Sequence, residues 1–245
     1  ITEDHKKRSF KREKKDKRYS QIIYAKNLNG YKNLSKLSSQ AYIDGLYSGF
    51  PRIDKDLLLS LKDDLIVVSS GIKGEIANVL LNEGEEKAKK LFIWWKENFK
   101  SDFYIQLSRH NLDDETYINK ILTSWCKEYA VKYFCSNEIY YLNKEDYDPH
   151  DILLCIKNGE LKETPVGYGR GFRFGLPSNE YFFKTTQEMC DLFNDIPEVF
   201  ETCEEIYKKI EFFDLERKVS LPIFNLPDSF SNQNEYLKFL TLEGA

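Results

Sequence analysis

Residues 103–142 read FYIQLSRHNLDDETYINKILTSWCKEYAVKYFCSNEIYYL, and the fold turns on how this stretch divides. FYIQLS is a short apolar and aromatic run of strand length. DDETYINKILTSWCKEYA repeats its apolar residues at helical spacing, and VKYFCSN is a second strand-like run. Strand, amphipathic helix, strand is the repeating unit of a parallel α/β sheet. Both runs break into polar residues at their C-terminal ends, Arg109-His110-Asn111 and Asn137-Glu138-Ile139-Tyr140. In parallel sheets those ends are where ligands are held. Glu138 and His110 are therefore the first residues to question.

Working outward, the same alternation continues towards the N-terminus. SQIIYAK (residues 20–26) reads as a strand, and the next segment places Leu34, Leu37, Ala41 and Tyr42 on one helical face. Asp54 caps a short helix, KDLLLSL. The unbroken apolar run Leu65–Val68 then predicts a strand buried on both faces, followed by a turn framed by Gly71 and Gly74. GEIANVLLN and GEEKAKKLFIWWKENF predict two more helices, the second with acids in its first turn. Past Asp148 the alternation stops. HDILLCIKNG reads as a short helix, residues 167–175 as a Gly-rich, aromatic and basic loop, and EYFFK as a short strand or extended arm. Two helices follow, TTQEMCDLFND and PEVFETCEEIYKKI, with Pro197 in the first turn of the second. A proline-punctuated extended stretch leads to a last helix, NQNEYLKFLTLEGA.

With 41% hydrophobic and 15% aromatic residues among 245, the chain can bury a substantial core. No apolar run reaches the roughly 20 residues a membrane-spanning helix needs. No membrane association and a cytoplasmic, bacterial setting are the expectations. Five cysteines, at 126, 135, 155, 190 and 203, form no C-x-x-C pair and read as free buried thiols rather than disulfides or a zinc site. Charge is uneven: nine Lys/Arg against four acids give residues 1–18 a net +5, leaving −9 on the rest of a chain whose total is −4. The basic head reads as a solvated connector or, less simply, as a phosphate-contacting segment. The chain lacks an initiator Met and reads as a fragment.

Each chemical motif has a plain alternative. His110 is a metal ligand or a solvated loop histidine; Glu138 is a ligand or a helix cap or ion-pair partner. Tyr140 reads as packing. A hydrolytic metal site needs several His and carboxylate ligands, and only three histidines, His5, His110 and His150, are present. GYGRGFRFG contains G-x-G-x-G but opens no helix with Lys-Ser/Thr and follows no first strand, so it is a weak signal for a phosphate or dinucleotide loop. Arg170, Phe172, Arg173 and Phe174 could stack on single-stranded nucleic acid, against which stands an interdomain packing loop. His150-Asp151 sits at a helix start, where Asp complements the dipole.

Taken together, LNGYKNLSKLSSQAYIDG, FPRIDKDLL, LIVVSSGIKGEI, FYIQLSRHN, SNEIYYL, HDILLCIKNG and EMCDLFNDIPEVFETCEEI resemble, in order and spacing, the N-terminal region of bacterial replicative DNA polymerase III alpha subunits. That region is the PHP (polymerase and histidinol phosphatase) domain. The resemblance implies an α/β fold, a distorted (βα)7 barrel incomplete at its N-terminus, followed by helices leading into the polymerase palm. The expected division is residues 1–165 for the barrel remainder, 166–220 for the Gly-rich loop and helical extension, and 221–245 for the crossover and start of the palm. Active relatives hold up to three metals and hydrolyse phosphoesters. The family's loop after FYIQLS carries a His, which His110 matches. Its next loop reads Asn-Asp-x-His-Tyr, where this chain has Asn137-Glu138-Ile139-Tyr140-Tyr141. Asp has become Glu, and His has become Tyr, a poor neutral ligand whose phenol pKa is about 10.

The resemblance thus implies a scaffold in DNA replication for the polymerase core and for a proofreading exonuclease, with a vestigial divalent-metal site at His110 and Glu138. No catalytic or cofactor-binding residue is assigned, and no cofactor is expected bound to the fragment. Mg²⁺ serves the parent polymerase. The expected partners are the other holoenzyme subunits, with DNA engaged through the parent chain. The alternative is a metal-dependent phosphoesterase or 3′–5′ exonuclease, and a nucleic-acid-binding module stands third. Missing early strands would leave an unpaired edge at SQIIYAK or its neighbour, with self-association or a disordered head as the expected consequence.

Overall fold

A computed structural model describes residues 1–8, 16–167, 169–216 and 224–244. It divides the chain into two compact units, Ile1–Phe212 and Phe213–Ala245. In the larger unit four strands form one sheet in sequence order: β1 (Ile22–Ala25), β2 (Leu65–Val68), β3 (Phe103–Ser108) and β4 (Lys132–Ser136). Between β1 and β2 lie α1 (Leu28–Ile43) and α2 (Lys55–Ser60). Then come α3 (Glu75–Glu83) and α4 (Glu85–Phe99) before β3, and α5 (Asp113–Tyr129) before β4. After the sheet come α6 (Tyr147–Asn158), α7 (Thr186–Leu192) and α8 (Glu198–Lys208). The strand-forming runs and the helices read from apolar spacing are all present. EYFFK is the exception, contributing an isolated bridge between Tyr141 and Phe182 rather than a strand.

The pairing of β2 with β3 and of β3 with β4 is parallel, as the alternation predicts. β1 departs from it and runs antiparallel to β2, with Ile22 opposite Val68 and Ala25 opposite Leu65. The cause is where the chain returns. Lys26 N–H donates to Asp64 O at 2.9 Å, and Asn29 Nδ2 and Asn33 Nδ2 donate to Asp64 Oδ2 and Asp63 O at 2.7 and 3.0 Å. A Cβ on Gly30 would stand 2.3 Å from Asp64 O, so only glycine permits this approach. These contacts tie the end of β1 to the start of β2.

Alternation along the strands sends side chains to two faces. Leu65, Val67, Phe103, Ile105 and Leu107 meet Ile76, Leu80, Phe92, Trp95, Ile118, Leu122 and Trp125 of the helices in the main core. Phe92 meets Phe103 and Trp125 edge-on at 5.8 and 5.6 Å, and each such buried aromatic contributes about 2–3 kcal/mol. Ile66, Val68, Tyr104 and Phe134 form the opposite face with Ile206 of α8. All four residues of β2 are buried. α8 is drawn onto β3 and β4 by polar contacts as well: Tyr104 Oη and Tyr133 Oη donate to Glu205 and Glu198 at 2.7 and 2.5 Å.

The smaller unit is a short aromatic cluster on α9 (Gln233–Glu243), whose Asn232 cap accepts from Glu235 N–H at 2.9 Å. Phe230 packs on Tyr236 and Phe239 with ring centroids 4.9 and 5.2 Å apart. The proline-rich stretch before it falls partly on residues 217–223, outside the described residues. None of the described helices is long and apolar enough to cross a membrane.

Candidate functional site

The loops after β2, β3 and β4 do converge, and His110 is where two of them meet. Asn111, at φ 60°, adopts the left-handed conformation that asparagine tolerates better than most residues. This turns the chain from β3 into α5 and faces the first turn of that helix back at His110. Glu115 Oε2 there accepts the His110 backbone N–H at 2.5 Å, while Glu115 Oε1 lies 2.8 Å from His110 Nδ1. The other ring nitrogen, Nε2, accepts the backbone N–H of Glu138 at 3.2 Å. Nε2 is therefore the acceptor nitrogen and Nδ1 carries the proton given to Glu115. The ring stacks on Tyr181 at 4.3 Å and 4°, and Ser178 Oγ donates to His110 O at 2.6 Å. His110 is 1% exposed. The solvated loop histidine is thus corrected: the residue is internal, and both ring nitrogens lie within hydrogen-bond distance of protein groups.

Glu138 faces the other way. Its Oε1 takes Lys73 Nζ at 3.0 Å, from the short turn after β2, and the Tyr140 hydroxyl at 2.5 Å. Burial acts to raise its carboxyl, but the Tyr140 hydroxyl and the Lys73 ammonium act against that and it lies below the usual carboxylate range. Its side chain is 42% exposed. Its backbone amide is the group hydrogen-bonded to His110, so the two expected metal residues are joined by a hydrogen bond. Tyr140, read as packing, is also the hydroxyl donor to this carboxylate.

The remaining strand-end residues bond to the sheet or to the segments packed against it. Ser69 Oγ accepts Gln106 N–H at 2.9 Å and Ser70 Oγ accepts Ile22 N–H at 2.8 Å. Arg109 grips Asp195 with both amino nitrogens at 2.7 and 2.9 Å, holding the α7–α8 connection. Asn137 Nδ2 donates to Phe182 O at 2.8 Å. Asp151, expected at a helix start beside the dipole, lies a turn into α6 and forms a two-armed pair with Arg173 at 2.6 and 2.7 Å. That pair fastens the Gly-rich loop to α6 within one unit, so Arg173 is not free to stack on nucleic acid, while Phe172 and Phe174 stay half-exposed. His150 lies against the rings of Tyr140 and Tyr141.

The basic head is anchored at two residues where it is described, while Lys6, Arg8, Lys17 and Arg18 stay exposed. Thr2 and His5 are buried, and Arg52 Nη2 donates to His5 O and Lys7 O at 3.0 and 2.7 Å. Residues 9–15 lie outside the described residues. Packing here creates the one group of three metal-type ligands among the described residues, Asp4, His5 and Asp54, with ligand atoms within 4.8 Å of one another. Asp54 Oδ1 caps α2 through Leu57 N–H at 2.9 Å, and Oδ2 takes the His5 ring and amide. Those bonds account for the carboxylate as a helix cap. Sequence reading missed Glu115 and the His5–Asp54 pair. Glu115 left a trace, an acid in the first turn five residues after His110; residues 49 apart leave none.

Residues 5–110 match the PHP domain. The chain is 38% identical over 227 residues to DNA polymerase III subunit alpha of Borreliella burgdorferi, covering 92% of this chain and 19% of that protein. It is 35% identical over 232 residues to that of Campylobacter jejuni (90% and 18%) and 30% identical over 252 residues to that of Chlamydia pneumoniae (91% and 20%). The chain spans about a fifth of the length of these curated relatives. It is a PHP-domain chain and a homologue of a segment of bacterial DNA polymerase III subunit alpha.

Proposed function

We propose that the chain acts in DNA replication as the PHP scaffold of a replicative polymerase alpha subunit, with a degenerate metal site. On this reading it is part of a distorted (βα)7 barrel whose following helices lead to the palm. It supports the polymerase core and docks a proofreading exonuclease. Nucleotidyl transfer and its Mg²⁺ belong to the longer polymerase, and DNA is met through that parent. The observation that carries the reading is His110: both imidazole nitrogens are spent inside the protein, on Glu115 and on the Glu138 amide. A hydrolytic cluster needs outward-facing lone pairs from several ligands at once, and the residues at these strand ends do not fit one.

The test is metal titration by calorimetry with Mn²⁺ and Zn²⁺, alongside a 3′-labelled single-stranded DNA assay, on the chain and on the full-length parent. No saturable binding that depends on His110 and no cleavage are expected. Stoichiometric binding lost in His110→Ala, or metal-dependent shortening of the DNA, would replace the scaffold with a PHP phosphoesterase. For the scaffold itself, co-purification of the parent with an exonuclease subunit is the positive measurement.

A further inference from the structure

Cys135, on β4, and Cys203, on α8, come from positions 68 residues apart, and their sulfurs stand 4.0 Å from each other. Nothing in the scaffold reading uses either thiol. Cys203 is half-buried and Cys135 buried, and a small cleft lined by Tyr133, Glu198, Thr202 and Glu205 opens along the same strand–helix junction. The thiol–thiol contact, reinforced by backbone groups at both residues, lowers the Cys203 thiol below its ordinary value, while that contact and burial push Cys135 up. A thiolate beside a retained thiol is the arrangement in which one sulfur attacks and the other resolves. Cys126 and Cys155 are buried elsewhere, and burial raises the Cys126 thiol.

We propose that Cys203 and Cys135 form a peroxide-responsive modification site, in which oxidation closes a disulfide that staples α8 to β4. The Cys203 thiolate attacks one oxygen of hydrogen peroxide, breaking the O–O bond. This gives a sulfenic acid, with the departing hydroxide protonated to water. The Cys135 thiol then attacks the sulfenic sulfur, forming the S–S bond and releasing the second water, so two thiols are oxidised and one peroxide reduced. Cys135 lies three residues before Glu138, and Ser136-Asn137 joins them. The staple therefore restrains the loop that carries the His110 contact.

The experiment treats the reduced chain with hydrogen peroxide near neutral pH, blocks residual thiols, and reads intact mass and a non-reducing peptide map. The expected result is loss of about 2 Da with a peptide linking Cys135 to Cys203. A Tm gain of roughly 5–10 °C should accompany it, as closing a long loop implies. Cys203→Ser should abolish the link. Cys135→Ser should leave a sulfenic acid at Cys203 that a 1,3-diketone traps, and Cys190→Ser should change nothing. The rate should rise with pH, following the thiolate. Both thiols surviving peroxide that oxidises free cysteine, or a link through Cys190, overturns the proposal. So does an unchanged yield in Cys203→Ser.

Discussion

Trp95 and His110 are each 1% exposed, and they hold neighbouring parts of the same molecule by different means. Trp95 lies in the helix-covered core, stacked on Phe103 at 6.4 Å and packed near Phe99 at 5.6 Å, with its Nε1–H on Glu75 at 3.0 Å. Its neighbours are mostly apolar, so burial supplies its stabilisation and several residues share the load. His110 lies at the loop end of the same sheet, and nearly everything its side chain contributes passes through two hydrogen bonds and one ring contact. The core tolerates changes of shape in proportion to volume. The loop junction fails group by group, because each lost partner strands a buried donor or acceptor.

That contrast can be broken from its strongest side downward, by denaturant unfolding of each variant. Trp95→Ala should cost about 4 kcal/mol, from lost transfer energy and the cavity left behind. His110→Ala should cost about 3 kcal/mol through the Glu115 Oε1 and the Glu138 amide left without the imidazole. A cost near that of a surface change would mean the junction is not held through the imidazole. Glu115→Gln should recover part of the loss in a double variant, since it removes the stranded charge; strict additivity would separate the two residues.

The α8 contact sharpens the comparison along the pH axis. Burial, then the Glu205 and Glu198 carboxylates, raise the Tyr104 and Tyr133 phenols above their ordinary value. Folding therefore favours the protonated phenols. Their contribution is complete below the unfolded pKa of about 10 and is lost as pH rises above it, by about 1 kcal/mol per tyrosine for each pH unit. Unfolding midpoints between pH 9 and 11 should fall less steeply in the Tyr104→Phe, Tyr133→Phe variant than in the parent chain. The smallest effect belongs to Glu138→Gln, within about 0.5 kcal/mol, because the Lys73 pair is exposed and screened. Glu138 stays ionised in the folded state below its ordinary pKa, so what it does contribute is present above about pH 4 and fades as pH falls. A large loss at neutral pH would make Glu138 a structural partner of His110 rather than a neighbour.

The limits of sequence reading follow the same division. Leu65–Val68 was legible as a strand covered on both faces because four successive apolar residues suffice to say so. Asp54 was legible as a cap because its partner, Leu57, is three residues away. The polar loop ends carrying His110 and Glu138 were legible by position. Their roles were not: Glu115 reads only as a helix-start acid, and Lys73, which holds the Glu138 carboxylate, sits 65 residues away. The antiparallel run of β1 was hidden for a similar reason, since period-two patterning is the same in either direction.

By itself, then, the sequence determined the elements, the two-faced burial of the central strand and the kinship with PHP-bearing polymerase subunits, because these rest on spacing and residue type along the chain. Only the tertiary structure decided that His110 turns both nitrogens inward, that Arg173 is locked to Asp151, and that Cys135 meets Cys203. Those outcomes depend on which distant groups share a site, and local periodicity carries no record of that.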